Sequence, residues 1–430
     1  MNTRKVMFRI ENPDRSSWRP FVQIVAAIII LPLIACAKPP LPADGPGGRD
    51  AQGPRAETPY RPDALLLDAI SGRERAVAEG NAARFHDLLY TGDPEFLLER
   101  TRWFEYRQSA EIRDYRLEAE SVFLPPGGEG DELLVVIRQS YTIGTDSEER
   151  TVLSVDLYRK ENRLWLYAGP AFAPIASDHF AVKYALPPEA LGEPAAAREL
   201  RLAAARRVAG QAERAWSLVL ASYGEMPPGP VTLKLYPDRE LLRQDSKITI
   251  PRLFNGWGEP GEPIKLWLNP DPKRDFTSIL AHELVHKTTL ARAANQCSWF
   301  AEGLANSLGS FPAIGGNYLD GGFHTSKDYE RNLEWLENQD PETIVTDEAW
   351  WLYGGMAGAV LDFTRQTWGS DSPRRIVEEL ARMPQPERAY VYSLNDAGYR
   401  ADLRAAIRAA LGVEWKKYDE LWLAWIKGRG

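Results

Sequence analysis

The chain has 430 residues, 44% hydrophobic and 26% charged, an ordinary globular composition that excludes a wholly disordered, collagenous or polytopic membrane protein. Lys+Arg 52 against Asp+Glu 60 gives a net charge of −8, which speaks against nucleic acid as a partner because binding to phosphates needs a cationic footprint. Two cysteines cannot build a disulfide framework, and with only five histidines any two at ligand spacing carry information.

Arg4, Lys5, Arg9, Arg15 and Arg19 precede the uncharged run Phe21 to Ala35. That run is shorter than the about 20 residues of a bilayer span, so it is predicted to be a secretory signal. Its end, Leu33-Ile34-Ala35-Cys36, resembles the bacterial lipobox. The resemblance implies a signal over 1–36, lipidation at Cys36, and a protein held to a membrane in the cell envelope, outside the cytoplasm. Residues 37–62 hold seven prolines and four glycines without apolar periodicity, the composition of an extended tether. With Cys36 lipidated, Cys297 is left as a small, partly buried thiol.

Residues 63–172 read as a first domain. Ala64 to Leu89 has helical apolar spacing, Trp103 to Leu117 is a charged and partly helical stretch, and Pro125-Pro126-Gly127-Gly128 breaks the pattern. Three strand-like runs follow, Leu133–Ile143, Thr151–Lys160 and Leu164–Ala168, joined by turn residues as in an antiparallel meander. This order resembles the nuclear-transport-factor-two-like α+β cone, which implies a spacer or binding module. His86 is its unassigned titratable histidine.

A second domain spans 177–430. A short strand at Ser177 to Tyr184, a helix from Pro194 to Tyr223, strand Val231–Tyr236, an irregular Gly/Pro-rich stretch and strand Ile264–Leu268 lead to Asp271 and Pro272, a predicted N-cap and first helical residue. The helix they open contains His282-Glu283-Leu284-Val285-His286. Residues four apart share a helix face, so His282 and His286 can offer two imidazole nitrogens to one ion. Glu283 falls beside them, where a general base belongs. A catalytic zinc needs a third protein ligand and an open position. Thr289 and Arg292 exclude the extended metzincin pattern. Glu302 supplies the third donor from a second helix, capped by Ser298 and ending near Gly309. One turn later, Asn306 shares the face of Glu302 and can orient a ligand histidine through its other nitrogen. Tyr318, Tyr329 and His324 are candidate donors to the oxyanion of a hydrolysed bond.

The His282–His286 motif, the block Trp299-Phe300-Ala301-Glu302-Gly303-Leu304-Ala305, and a late pattern through Tyr353, Trp368-Gly369, Leu411-Gly412 and Trp422 together resemble the peptidase MA-like gluzincin zinc metallopeptidases. The resemblance implies an α+β fold, with a small antiparallel sheet over the metal helix and an all-helical C-terminal lobe at 350–367, 373–382, 396–410 and 414–427. It further implies one zinc ion, a peptide or protein substrate, Glu283 as base, and Tyr353 as oxyanion donor. The substrate backbone is expected to add along an edge strand formed by Ile264, Lys265, Leu266 and Trp267. The competing expectation is a surface lipoprotein that binds metal without catalysis and serves as a ligand- or partner-binding module. The pattern fixes neither a side-chain preference nor an oligomeric state.

Overall fold

A carboxylate opens the first helix of the computed structural model. Asp63 accepts from the Leu66 N–H at 2.8 Å and so caps α1 (Ala64–Glu79), which stops at Gly80 in the left-handed region, φ 68°. The structure describes residues 58–126, 130–144, 148–227, 229–247, 255–268, 271, 273–314, 325–341, 344, 346–386 and 397–429. Cys36 and its signal, most of the tether, Tyr318 and His324 lie outside them.

Asn81 caps a short α2 (Ala82–Asp87), so the helical spacing up to Leu89 belongs to two helices divided at Gly80. Helix α3 (Pro94–Ser109) starts under Asp93, which accepts from the Phe96 N–H at 3.1 Å. The charged stretch Trp103 to Leu117, expected to be partly helical, is helical to Ser109 and becomes a strand from Ile112. Glu111 and Asp114 have positive φ, and from Ile112 onward the inward positions Tyr115, Leu117 and Val122 alternate with Arg and Glu on the solvent side. Charge on the outer face hid a period of two. The antiparallel sheet runs in sequence order through β1 (Thr58–Pro59), β2 (Ile112–Leu124), β3 (Glu132–Ile143), β4 (Arg150–Glu161) and β5 (Leu164–Pro170). Its inner face closes a core with Leu66, Ile70, Phe85, Trp103 and Phe104.

The second sheet holds β6 (Phe172–Ile175), β7 (Phe180–Ala185), β8 (Val231–Tyr236), β9 (Gly256–Gly258) and β10 (Ile264–Trp267), in spatial order β6-β7-β8-β10-β9. It is mixed, correcting the expectation of an antiparallel sheet: β7 with β8 and β8 with β10 are parallel. The long α4 (Ala195–Tyr223) makes the first crossover, and parallel neighbours need such a connection. After β8 comes α5 (Arg239–Asp245). Ala205, Ala209, Ala212 and Ala215 line the buried face of α4, and their small size lets α6 (Thr277–Arg292) approach.

Helix α6 begins later than Asp271 suggested. Asp271 accepts from the Lys273 N–H in a local turn, whereas Asp275 accepts from the N–H and hydroxyl of Thr277, at 2.8 and 2.6 Å. Beyond it come α7 (Ser298–Ala305), a π-helical turn over Asn306–Ser310, α8 (Phe311–Ile314), α9 (Leu333–Glu337) and four further helices, α10 (Asp347–Trp368), α11 (Ser372–Ala381), α12 (Ala397–Leu411) and α13 (Trp415–Lys427). These last four match the expected ranges to within three residues. Residues 53–430 form one compact unit, in which the two sheets keep largely separate cores. Mixed α+β architecture with small sheets is thereby observed.

Candidate metal centre

Helix α6 is buried by Leu280, Ala281, Leu284 and Val285, and that fixes which face His282, Glu283 and His286 present. Two glycines bring the opposing helix close. A Cβ at Gly309 would stand 2.6 Å from the Ala281 carbonyl of α6, and one at Gly303 would stand 2.6 Å from the Ala357 carbonyl of α10. The α7 segment therefore lies against both neighbours, backbone to backbone, and Glu302 points at the two histidines.

The three donors converge. His282 Nε2 and His286 Nε2 are 3.1 Å apart, His282 Nε2 is 3.3 Å from Glu302 Oε2, and His286 Nε2 is 3.4 Å from Glu302 Oε1. Ligand atoms at about 2.05 Å from a tetrahedral ion stand about 3.3 Å from one another, so the spacing suits a single cation. His282 turns Nε2 inward because its Nδ1 faces Asn306 Oδ1 at 3.0 Å, the orienting role expected of Asn306, and Ser310 Oγ lies 3.3 Å from the same nitrogen. Asn306 is itself held by donating to the Gly354 carbonyl at 3.2 Å. The π-helical turn that starts at Asn306 is a local irregularity of the kind found at functional sites. His282, His286 and Glu302 could together hold a metal ion.

Electrostatics follow from burial and from this convergence. Burial raises the Glu302 carboxyl, yet His286 and His282 outweigh it and hold the group well below the usual carboxylate range. Burial disfavours the charged form of His282, but its bond to Glu302 leaves that histidine above the ordinary value. Glu283 is pushed up, chiefly by burial, and its carboxylate lies under β9. A Cβ at Gly256 would be 3.3 Å from Glu283 Oε1, and one at Gly258 would be 3.0 Å from Oε2. A side chain at either position would press on the carboxylate and shift it.

A cavity of about 460 Å³ opens over the donors and Glu283. Such a volume suits a small ligand or a few peptide residues. Trp257, Ile279, Phe311, Trp350 and Trp351 give it apolar walls.

Two expectations are corrected. Ile264, Lys265, Leu266 and Trp267 do not form the edge: β10 is paired on both sides, and β9 is the terminal strand among the described residues. Ile264 and Leu266 are core, while the Lys265 ammonium is buried behind the sheet between Glu99 at 2.8 Å and Glu262 at 3.0 Å. Tyr353 is fully enclosed in α10, near enough for the Glu302 charge to help burial raise its hydroxyl, and it does not line the cavity. Tyr329 is likewise buried away from it. Missed were Gly256-Trp257-Gly258 and the paired Trp350-Trp351; the Gly-x-Gly just ahead of a strand was the available signal. His179 stacks on Trp216 and pairs with Glu213, and Cys297 is wholly buried.

Compared with known proteins, the chain matches no family model, no curated sequence and no solved structure.

Proposed function

We propose that this chain is a zinc-dependent peptidase, related to the peptidase MA-like gluzincins and tethered through Cys36 to a membrane outside the cytoplasm. The observation that carries the reading is the near-equal spacing of the three donor atoms, 3.1 to 3.4 Å, at the floor of a cavity that Glu283 also lines. The donor set fits zinc: two neutral imidazoles and a carboxylate, with one side open. Zinc bound by His282, His286 and Glu302 would supply Lewis-acid polarisation of a peptide carbonyl and of water. Glu283 would take the proton from the attacking water and return it to the leaving amine, its raised pKa bringing it nearer the operating pH. Asn306 would keep His282 in the tautomer whose Nε2 faces the ion. The free side of β9 would receive the substrate backbone as an added strand, and the tryptophan walls would exclude water from it.

The enclosed position of Tyr353 favours the second reading, a metal-binding lipoprotein without catalysis, since it removes the expected oxyanion donor from the cavity. Two variants separate them. Glu283→Gln is expected to keep about one zinc per chain and to abolish cleavage of a mixed peptide library, and His282→Ala to lose the metal. A wild type that binds zinc yet cleaves no member of the library supports the second reading, and full zinc occupancy in His282→Ala would show that the ligand set is wrong.

A further inference from the structure

Helix α3 packs with the first sheet, yet one of its faces ends on the turn that joins β9 to β10 in the second. Leu98, Arg102 and Tyr106, spaced four apart on that face, each touch it. Arg102 Nη1 donates to the Pro260 carbonyl at 2.6 Å and to Glu262 Oε1 at 3.0 Å. The Tyr106 hydroxyl donates to Glu259 Oε1 at 2.9 Å. Leu98 lies against Gly261, whose φ is +80° and where a Cβ would stand 3.1 Å from Leu98 Cδ2. The turn Glu259-Pro260-Gly261-Glu262-Pro263 is closed by a Glu262 N–H to Glu259 carbonyl bond of 3.0 Å, and its two prolines have no N–H to give. Its position therefore depends on what grips it from outside. Arg102, Glu259 and Glu262 are all buried, so these bonds face little competition from water.

What hangs from the turn is the strand that walls the cavity. Gly258 pairs with Ile264, Trp257 with Lys265 and Gly256 with Leu266, and Gly256 and Gly258 border the Glu283 carboxylate. We propose that α3 is a positioning element for this edge strand and that Arg102 is its clamp, fixing Gly256–Gly258 at the height a peptide backbone needs while leaving room beneath for Glu283. An arginine suits the task because its planar fork can hold a carbonyl and a carboxylate at once. The first domain then has a part in the second domain's site without touching a ligand. The functional half of this inference rests on the peptidase reading; the structural half does not.

The deciding measurement is amide hydrogen exchange on the full chain, which needs no substrate. In Arg102→Ala the amides of 256–262 are expected to exchange about tenfold faster while those of 277–292 keep wild-type rates, and Arg102→Lys, which retains a donor, recovers most of the protection. Tyr106→Phe removes one bond without a change of volume, and is expected to speed the same amides more modestly should the alanine variant fail to fold. Unchanged exchange at 256–262, or acceleration spread evenly over both sheets, overturns the proposal. With a peptide that the wild type cleaves, Arg102→Ala should raise KM about tenfold and leave kcat within about twofold, the mark of lost ground-state binding. A fall in kcat at constant KM contradicts it. A wild type that cleaves nothing disposes of the peptidase reading alone, because the exchange comparison still shows whether α3 holds the strand.

Discussion

Asn306 makes the smallest move with the largest consequence for the candidate centre. Its side-chain oxygen faces His282 Nδ1 at 3.0 Å and its amide donates to the Gly354 carbonyl at 3.2 Å, so the imidazole has one orientation with Nε2 inward. Asn306→Ala should lower zinc affinity about 10- to 100-fold by freeing the ring, read by competition with a chelating indicator. An unchanged affinity would limit Asn306 to a packing role between α7 and α10. At this scale the sequence was informative wherever geometry is local. The spacing of His282 and His286 within one helix requires a shared face, and Glu302, expected in the first turn of the next helix, completes the convergence from its fifth position. Tyr353 was misjudged because sequence cannot say whether a tyrosine on an apolar helix looks into a cavity or into the core. Tyr353 is enclosed in α10, and Trp350, Trp351 and Gly354 line the cavity around it.

Elements are held in place here by the absence of side chains as much as by their presence. The π-helical turn lies on α6 because Gly309 leaves its Cα bare against the Ala281 carbonyl, and any Cβ there would meet backbone, which cannot swing aside. Gly309→Ala should therefore cost about 2–3 kcal/mol in urea unfolding and weaken metal binding, because the turn must lift away together with Asn306. Gly258→Ala should behave differently. Its Cβ would meet the far end of the Glu283 side chain at 3.0 Å, so the base is displaced while the packing survives. Stability and zinc content should stay near wild type while peptide cleavage falls at least about tenfold, as expected of a base moved from its working position. Equal losses of stability in the two variants would show that no such division exists. The helices flanking this region were legible from apolar spacing, since α11 to α13 each bury one face, and α10, buried all round from Tyr353 to Leu361, shows as a long apolar run. β2 and β9 were not. The first hides its alternation behind arginines and glutamates, and the second is three residues long, two of them glycine, with too little side chain to show a period.

Across the whole molecule, the two sheets meet through charge. Glu99 on α3 reaches Lys234 of β8 at 2.5 Å and Lys265 of β10 at 2.8 Å, with Arg100 beside it paired to Asp245. Composition and periodicity could not foresee this junction, because Lys265 sits in an apolar strand and its partner Glu99 lies 166 residues away on another domain's helix. Taking these groups out of water is costly, and removal of one partner leaves a buried charge unanswered. Burial raises the Glu99 carboxyl, but Lys234, Lys265 and Arg100 outweigh it and hold the group down at about 2, below its ordinary value of 4.5. Since the folded value is depressed, the contribution to stability is fully present above about pH 4.5 and is lost as pH falls towards 2, on the order of 3 kcal/mol. Lys265 is shifted the opposite way, upward against burial by Glu262 and Glu99, so its share is present below its ordinary value and fails only in strong alkali. Both hold at neutral pH. Urea titrations of the wild type and of Glu99→Gln at pH 6 and pH 3 should show the variant much less stable at pH 6 and the gap narrowing at pH 3, where the carboxyl of the unfolded wild-type chain is protonated while the folded one is still largely ionised. Other carboxylates contribute equally to both proteins and cancel in that comparison. A gap that stays constant between the two pH values would mean that the ionised Glu99 does not bind the first domain to the sheet of the second.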